Sequence, residues 1–333
     1  MNRIILTILL LLGSFQAFAQ ELQTSLQQNK TKFDFDGDGK ADISVFRPSD
    51  GYWYIMKTSG GYSFVKWGLN GDTPVPGDYD GDGKTDVAVH RRGALQGGFI
   101  GIADNTWYIL KSSDSSFLIT QFGKVTGYIY DAPEPADYDG DGKTDLGVYR
   151  QSDAVSAPSY FTILQSSTNS IIERTWGTSA DKKIPADYDG DGKADLAVFR
   201  TNNIPGVTDN NTWFIWQSST NTMRVERFGL PTDKLVPADY DGDGKTDIAV
   251  WRPSTGTWYR INSSDRSFVA MQFGLSGDKP VPADYDGDGK TDIAVFRPST
   301  GVWYLQRSKD GFSAQQFGLS DDIPLPNVYV PQW

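Results

Sequence analysis

The 333-residue chain has no cysteine, one histidine and four glutamates, and these shortages exclude several kinds of active site. Without cysteine there is no disulfide bond, no thiol nucleophile and no lipobox for a lipid anchor. The single His90 excludes a zinc site built from several histidines. No Gly-x-Ser-x-Gly motif or phosphate-binding loop is present. We therefore predict that the protein is not an enzyme, although a glycosidase-like aspartate pair stays open.

Long apolar runs are also missing beyond the first residues of the chain. Arg3 precedes the apolar run Ile4–Leu12, and Ala17-Phe18-Ala19 has the small-x-small form of a cleavage site. The run is too short for a retained membrane-spanning helix. We predict a signal peptide at residues 1–19, a flexible polar leader at 20–30, and a secreted or periplasmic protein without a transmembrane segment.

The chain is rich in aspartate, which is arranged in a nine-residue stretch that occurs six times. Its last copy, residues 284–292, has the sequence Asp-Tyr-Asp-Gly-Asp-Gly-Lys-Thr-Asp. Carboxylates stand at loop positions 1, 3, 5 and 9, and glycines, which tolerate tight backbone angles, stand at positions 4 and 6. Ca²⁺ binds six to eight oxygen atoms, and without a cation such clustered carboxylates would repel one another. The stretch therefore predicts a calcium-binding loop.

Six loops predict about six structural Ca²⁺ ions. The position-7 residue is expected to offer its backbone carbonyl while its lysine side chain points to solvent. An EF-hand is excluded because its loop closes with a glutamate at position 12 between helices. The predicted metal ligands are Asp34, Asp36, Asp38, Lys40, Asp42, Asp78, Asp80, Asp82, Lys84, Asp86, Asp137, Asp139, Asp141, Lys143, Asp145, Asp187, Asp189, Asp191, Lys193, Asp195, Asp239, Asp241, Asp243, Lys245, Asp247, Asp284, Asp286, Asp288, Lys290 and Asp292.

The formal charge of −11 gives no support to nucleic-acid binding, because the acidity is concentrated in these loops. A predicted strand follows each loop, and the clearest unit, Pro280–Ser320, contains four short strands. Loop starts are separated by 44, 59, 50, 52 and 45 residues. A period near 45 residues with four strands is typical of a β-propeller blade.

The sequence therefore predicts an all-β, six-bladed propeller of four-stranded blades, monomeric and filling residues 31–333 as one domain. The segment Ile323–Val330 matches the start of a seventh unit but lacks the acidic loop. We interpret it as a strand that closes the ring, because an open sheet edge invites aggregation.

The repeat resembles the FG-GAP (VCBS-type) repeats of integrin alpha-chain propellers and of bacterial secreted proteins. Besides the loops, the resemblance is carried by six aromatic-glycine pairs at Trp67-Gly68, Phe122-Gly123, Trp176-Gly177, Phe228-Gly229, Phe273-Gly274 and Phe317-Gly318. It implies a propeller fold and calcium. Such propellers host adhesion, lectin and enzyme-accessory roles, so the resemblance does not select among them.

Two further positions repeat in every unit. An arginine lies 13 residues after each loop start, and we expect it to bond a carbonyl or an aspartate between neighbouring blades. An aromatic residue lies 19 residues after the loop starts of units one, five and six, and further along the longer units two to four, where it either packs between blades or stacks on a sugar. The arginines are Arg47, Arg91, Arg150, Arg200, Arg252 and Arg297; the aromatics are Trp53, Trp107, Phe161, Trp213, Trp258 and Trp303.

Units two to four carry enlarged connections at Arg92–Asn105, Lys124–Pro135, Gln151–Ser159 and Thr201–Asn211. Strand alternation places them on the face opposite the acidic loops, and loops on a rigid scaffold often bind partners. We predict a binding or adhesion module for an extracellular protein or glycan; a multivalent lectin and a polysaccharide-processing enzyme or accessory domain stay open. The candidate ligand-binding residues are Phe99, Tyr128, Tyr130, Asn202 and Asn203.

Overall fold

The computed structural model describes residues 31–94, 102–126, 129–152, 157–201 and 211–329. Within these ranges the chain is almost entirely β-structure, with 24 strands and one short 3₁₀ helix at Leu325–Tyr329. None of the described helical structure is long and apolar enough to cross a membrane. The predicted signal peptide at 1–19 and leader at 20–30 lie outside the described residues.

Four of the sheets are separate and contain four antiparallel strands each. The first joins the two ends of the described chain through β24 (Ile323–Pro324), β1 (Ile43–Arg47), β2 (Tyr52–Met56) and β3 (Tyr62–Lys66). Three more follow in chain order: β12 (Lys182–Lys183), β13 (Leu196–Arg200), β14 (Thr212–Gln217) and β15 (Thr222–Arg227); β16 (Lys234–Leu235), β17 (Ile248–Arg252), β18 (Thr257–Ile261) and β19 (Phe268–Gln272); β20 (Lys279–Pro280), β21 (Ile293–Arg297), β22 (Val302–Arg307) and β23 (Gly311–Gln316).

The remaining strands form one eight-stranded sheet. Its strands, in spatial as well as chain order, are β4 (Thr73–Pro74), β5 (Val87–Arg91), β6 (Ile102–Leu110), β7 (Phe117–Thr126), β8 (Ile129–Pro133), β9 (Leu146–Arg150), β10 (Pro158–Leu164) and β11 (Ile171–Thr178).

The all-β propeller prediction is confirmed, but the prediction of six separate four-stranded blades is wrong. The structure has four such blades, because β7 and β8 pair and merge the other eight strands into one sheet. Pairing joins Val125 to Tyr130 and Thr126 to Ile129. The cause is the enlarged connection at Lys124–Pro135: its first residues prolong β7, and its last residues prolong β8, so the two strands form a hairpin.

The C-terminal strand β24 pairs with β1, and this contact joins residues more than 270 positions apart. Val45 lies opposite Pro324, and Phe46 lies opposite Ile323. The neighbouring Arg47 adds a bidentate ion pair to Asp322, with N–O distances of 2.8 and 2.9 Å. The first and last segments of the described chain are therefore held in one sheet.

The six acidic loops form a closed cycle of backbone hydrogen bonds. The position-8 N–H of each loop donates to the position-1 carbonyl oxygen of the preceding loop at 2.6–2.7 Å, and Ala41 of the first loop donates to Asp284 of the last. This cycle places all six loops side by side. The donor and acceptor pairs are Thr85 and Asp34, Thr144 and Asp78, Ala194 and Asp137, Thr246 and Asp187, Thr291 and Asp239, and Ala41 and Asp284.

The hydrophobic core lies between neighbouring sheets as well as within them. One cluster joins Phe199 and Trp213 from β13 and β14 to Val250 from β17 of the next sheet. The six repeated aromatic residues, from Trp53 to Trp303, are at most 4% exposed, so they fill this inter-sheet space. Removal of such large rings from water is a main source of stability for a fold of short strands.

Candidate metal centres

The position-1 aspartate organises each acidic loop from within. Gly242 donates its N–H to Oδ1 of Asp239 at 2.6 Å, and Gly244 donates to Oδ2 at 2.8 Å. Both glycines have a positive φ, +82° and +83°, a conformation that residues with a Cβ avoid. The same two hydrogen bonds recur in the other five loops. The loop conformation therefore follows directly from the Asp-x-x-Gly-x-Gly spacing.

The position-9 aspartate connects each loop to a turn of its own sheet. Oδ2 of Asp247 accepts the N–H of Tyr240 at 3.0 Å, and Oδ1 accepts the N–H of Ser263 at 2.6 Å. All six loops repeat this pair of contacts, and all six position-9 aspartates are at most 1% exposed. Each carboxylate is thus buried and aligned by main-chain donors.

A Ser/Thr pair in that turn donates two further hydrogen bonds to the aspartates of the loop. This pair was not among the residues predicted from the sequence. Ser263 donates its hydroxyl to Asp243 at 2.8 Å, and Ser264 donates to Asp241 at 2.7 Å. The signal was available, because a Ser-Ser or Thr-Ser pair recurs after the predicted middle strand in five of the six units. These pairs are Thr58-Ser59, Ser112-Ser113, Ser166-Ser167, Ser218-Ser219 and Ser263-Ser264.

Carboxylate oxygens from the first five acidic loops converge to within 4.8 Å of one another in each loop. In four loops the converging residues occupy positions 1, 3 and 9; in the fifth they occupy positions 1, 3 and 5. The clusters are Asp34, Asp36 and Asp42; Asp78, Asp80 and Asp86; Asp137, Asp139 and Asp145; Asp187, Asp189 and Asp195; and Asp239, Asp241 and Asp243.

These clusters fit a hard divalent cation. Oδ1 of Asp189 and Oδ1 of Asp286, both at loop position 3, are buried without a hydrogen-bond partner. A buried carboxylate oxygen without a donor is costly, and a cation removes that cost. The donors are oxygens, with no histidine or cysteine among them, which favours Ca²⁺ or Mg²⁺ over zinc. Several sites therefore have the composition and geometry to hold a metal ion.

The electrostatics of the metal-free loops point the same way. Burial raises the pKa of Asp86 and of Asp247 to about 6 and that of Asp292 to about 7. Nearby carboxylates such as Asp80 and Asp241 raise the pKa further, while the N–H donors lower it. Negative charge is therefore unfavourable here until a cation balances it.

The position-7 lysine side chains do not point freely to solvent, which corrects the sequence prediction. The stem of Lys84 covers Gly37 of the preceding loop so closely that a Cβ there would lie 2.8 Å from Cε. Position 4 must therefore be glycine for two reasons, its positive φ and this neighbour. The equivalent contacts pair Lys143 with Gly81, Lys193 with Gly140, Lys245 with Gly190, Lys290 with Gly242, and Lys40 with Gly287.

The repeated arginines form bidentate ion pairs, each with an aspartate six residues before an acidic loop or, for Arg47, with Asp322. Arg252 binds Asp233 through two N–O contacts of 2.9 Å, and Asp233 is fully buried. The aspartate prediction is confirmed, but the pairs lie within one sheet instead of between neighbouring blades. The other pairs are Arg47 with Asp322, Arg91 with Asp72, Arg150 with Asp131, Arg200 with Asp181, and Arg297 with Asp278.

The repeated aromatics are not accessible to a sugar. Trp213 is buried, and its indole N–H donates to the carbonyl of Phe228 at 3.1 Å. Four other tryptophans at this position make the same bond to the aromatic residue of their aromatic-glycine pair. The single histidine, His90, is also buried, at 5.0 Å between ring centroids from Trp107, and burial lowers its pKa to about 4. These residues pack the core.

The described ends of the enlarged connections lie at the strand ends opposite the acidic loops. Of the predicted ligand-binding residues, Tyr130 is 41% exposed, and the guanidinium of Arg92 lies 4.6 Å from its ring centroid. The other four, Phe99, Tyr128, Asn202 and Asn203, lie outside the described residues. Tyr130 and Arg92 thus form the described part of this candidate surface.

A family model described as an FG-GAP-like repeat matches residues 34–89, 187–250 and 239–295. Each match starts at the first aspartate of an acidic loop and ends within the strand that follows the next loop. The family model and the arrangement of the sheets therefore agree on a propeller of FG-GAP repeats.

The solved structures that match the chain are distant from it in sequence. Cobalt-substituted apocarotenoid oxygenase from Synechocystis is 10% identical, with a TM-score of 0.47 over 85% of this chain and 71% of that chain. Virginiamycin B lyase from Staphylococcus aureus is 7% identical, with a TM-score of 0.45 over 88% of this chain and 86% of that one. No curated protein matches the chain. Likeness at this level carries no argument about activity.

Proposed function

Because the chain is a β-propeller built from FG-GAP-like repeats, we propose that it is a calcium-stabilised binding module. In this proposal residues 1–19 direct its export, and a monomer recognises an extracellular protein or glycan without catalysing a reaction. The observation that carries the proposal is the division of the molecule into two faces. Acidic loops joined in a closed cycle occupy one face, and the enlarged connections emerge on the other.

The acidic loops supply the structural half of the function. Positions 1, 3, 5 and 9 and the position-7 backbone carbonyl would hold the ion, as exemplified by Asp239, Asp241, Asp243, Asp247 and Lys245. A bound Ca²⁺ neutralises the clustered carboxylates and adds its binding free energy to folding. The chain aligns these oxygens beforehand through the glycine N–H groups and the Ser/Thr turn.

The eight-stranded sheet acts, in this proposal, as two blades joined by the β7–β8 hairpin. Support comes from the six acidic loops, which follow one another at equivalent places in a closed cycle although the sheets number five. The hairpin that joins these two blades carries Tyr130 on the face opposite the acidic loops, which we call the recognition face. The departure from regular blades therefore coincides with the candidate binding surface.

The recognition half depends on accessible side chains at the enlarged connections. Tyr130 presents an exposed aromatic ring, and Arg92 presents its guanidinium beside that ring. An aromatic ring beside a cation suits both protein and glycan ligands, since one group supplies apolar area and the other charge-assisted hydrogen bonds.

A glycan array and an extracellular-protein array, each run with calcium and after chelation, test this function. We expect binding in calcium that is weakened at least about tenfold by Tyr130→Ala, as for a central interface residue. Tyr62→Ala is the matched control, because Tyr62 is an exposed tyrosine on the outer strand β3. Equal losses for both variants, or no ligand on either array for the folded protein, would contradict the proposal.

A further inference from the structure

We propose that one face of the β2–β3 hairpin binds a neutral sugar ring. The site consists of the rings of Tyr52, Tyr54 and Phe64 together with Lys66 and Asp50, and we call it the outer aromatic face. It lies in a different sheet from Tyr130. The inference goes beyond the proposed function, because binding at this face does not depend on the recognition face.

The pairing of β2 with β3 places these side chains on one side of the sheet. Tyr54 lies opposite Phe64, and Tyr52 lies opposite Lys66. The ring centroids of Tyr52 and Tyr54 are 6.0 Å apart, and those of Tyr54 and Phe64 are 5.6 Å apart. Nζ of Lys66 lies 5.7 Å from the ring centroid of Tyr52. The three rings and the ammonium group therefore form one continuous surface.

This surface is open to solvent. Phe64 is 60% exposed, Lys66 and Asp50 are exposed, and the two tyrosines are half-buried. An apolar patch with polar groups at its edge is typical of a binding site. The connections next to it, at 48–51, 57–61 and 67–72 of its own sheet and at 298–301, 308–310 and 317–322 of the preceding sheet, all belong to the described residues.

The repeat does not explain these side chains, because the first unit alone combines them. Phe64 is the only aromatic residue at its place in the outer strand; the equivalent residues are Ile119, Glu173, Val225, Ala270 and Ala314. Opposite pairs equivalent to Tyr52 and Lys66 are Thr106 with Gln121, Tyr160 with Thr175, Thr212 with Arg227, Thr257 with Gln272, and Val302 with Gln316. No other unit thus has an aromatic residue and a lysine at these places.

Tyr62 is also exposed on β3, but we do not include it in the site. Its ring lies 6.1 Å from Phe317, the aromatic residue of an aromatic-glycine pair in the preceding sheet. The same contact between neighbouring sheets recurs elsewhere, so Tyr62 has a packing role that the repeat explains. The equivalent contacts join Phe117 to Trp67, Phe268 to Phe228, and Phe312 to Phe273.

Hydrogen bonds and a cation hold the tyrosines of the site in place. The hydroxyl of Tyr54 donates to Asp50 at 2.8 Å, and the backbone N–H of Tyr52 donates to the same carboxylate at 2.9 Å. The guanidinium of Arg47 lies 4.1 Å from the ring centroid of Tyr54. A ring that is already fixed loses little conformational freedom when a ligand binds.

The charges at this face balance, which favours a neutral ligand. Arg47 and Lys66 are positive. Asp50 lies 3.9 Å from Arg47, and Asp322 forms a bidentate ion pair with Arg47. Positive and negative side chains are therefore equal in number, and neither an acidic nor a basic ligand is favoured by net charge.

The chemical groups of the face match those of a sugar ring. The face of an aromatic ring is negative, and one side of a pyranose ring presents weakly positive C–H groups that can stack on Phe64. Lys66 offers hydrogen-bond donors, Asp50 offers acceptors and the tyrosine hydroxyls offer both, as sugar hydroxyls do. A proline-rich peptide lacks N–H groups at its prolines and would leave Asp50 unused. The combination favours a sugar over such a peptide.

Isothermal titration calorimetry of the full calcium-loaded chain tests the site. The neutral probes are cellohexaose, laminarihexaose, mannohexaose and xylohexaose; the rival probes are hexagalacturonate for an acidic sugar and decaproline for a proline-rich peptide. We expect at least one neutral probe to bind at a single site per chain, because only the first unit has this face. No binding of any neutral probe, several sites per chain, or tighter binding of a rival probe would overturn the inference.

Variants assign the bound sugar to this face. Phe64→Ala should weaken binding at least about tenfold, as for a central contact residue, and Phe64→Tyr should retain most of it. Phe312→Ala is the matched control, because Phe312 is also 60% exposed on an outer strand but lies opposite Gln306. Lys66→Met should also weaken binding about tenfold, whereas Lys309→Met makes the same change in charge at an exposed turn. Equal weakening by a variant and its control would overturn the site.

A second copy of the chain is the other occupant that an exposed aromatic face could have. Sedimentation velocity at the concentrations used for calorimetry detects it. We expect the wild-type protein and Phe64→Ala to sediment alike as monomers. A wild-type dimer that Phe64→Ala dissociates would show that the face is an interface between copies, and the sugar site would be wrong.

This inference and the proposed function fail in different ways. A ligand that Tyr130→Ala weakens and Phe64→Ala does not, with no neutral probe bound in calorimetry, would support the recognition face and overturn the sugar site. A glycan that Phe64→Ala weakens and Tyr130→Ala does not, with no other ligand on the arrays, would support the sugar site and contradict the recognition face.

Discussion

At the scale of single residues, hydrogen-bond donors of each acidic loop and its neighbouring turn hold the loop carboxylates in place. Main-chain N–H groups and hydroxyls hold the aspartates of positions 1, 3, 5 and 9 near one another. Despite these donors, burial and, to a smaller extent, the neighbouring carboxylate of Asp241 raise the pKa of Asp247 to about 6. A cation is the missing charge in this account.

Replacement of one loop ligand should therefore destabilise the protein in a calcium-dependent way. We expect Asp241→Ala to lower the melting temperature in calcium, while in chelator the difference from wild type shrinks because one repelling charge is gone. Asp321→Ala, which removes an exposed aspartate outside the loops, is the control. Equal effects of Asp241→Ala with calcium and with chelator would exclude Asp241 as a ligand.

Disruption of an Arg–Asp pair should destabilise the fold whether or not calcium is present. Arg252→Met leaves the buried Asp233 without its bidentate partner, and we expect a loss of about 2–3 kcal/mol in the free energy of unfolding. The control is Arg307→Met, since Arg307 and Asp310 form a more exposed pair 3.5 Å apart. That change should cost less than about 1 kcal/mol. Denaturant titration measures the free energy of unfolding of both variants. Similar losses for the two would contradict a structural role of the repeated Arg–Asp pairs.

At the scale of the loop and strand, neighbouring units are joined through the lysine stem that covers a glycine. Gly81 and Gly83 both have a positive φ, +84° and +88°, yet only Gly81 has a neighbour, with Lys143 Cε 2.9 Å from an added Cβ. Each Gly→Ala change should lower the free energy of unfolding by about 1–2 kcal/mol, because alanine must adopt a positive φ. We expect Gly81→Ala to cost about 1 kcal/mol more than Gly83→Ala, because Lys143 must move.

A double-mutant cycle isolates that contact. The added change Lys143→Ala should relieve the extra cost of Gly81→Ala and leave Gly83→Ala unaffected. Additive behaviour of Gly81→Ala and Lys143→Ala would show that the loops do not couple through the lysine stem.

Much at this scale was predictable from sequence, and the failures have a physical cause. Short local patterns that recur in all six units predicted the acidic loops, the positions of the arginines and the positions of the inter-sheet aromatics. The merging of β7 with β8 was not predictable, because a long connection does not reveal that its two ends will pair with each other. The covering of Gly37 by Lys84 was missed for the same reason, since it joins residues of different loops.

At the scale of the whole molecule, the closed cycle of loops makes stability depend on charge and therefore on pH. In the folded, metal-free protein burial raises the pKa of Asp86 and Asp137 from the ordinary aspartate value of 3.8 to about 6. A group whose pKa is raised by folding binds protons more tightly in the folded state. It therefore favours folding at low pH, and this effect is lost as the pH rises through about 6.

The metal-free protein should thus become more stable as the pH falls from 7 toward 5. In saturating calcium the dependence should reverse, because protons compete with the ion for the same carboxylates. Melting temperatures in chelator and in calcium across this range measure both slopes. Parallel slopes under the two conditions would contradict the assignment of the acidic loops as metal sites.

The most direct measurement of the central claim combines bound calcium per chain with the melting temperature of the protein. The account predicts about six Ca²⁺ ions per folded chain after dialysis against trace calcium, a marked fall in melting temperature on chelation, and full recovery on re-addition. A folded protein that retains no calcium and melts at the same temperature with and without chelator would contradict it.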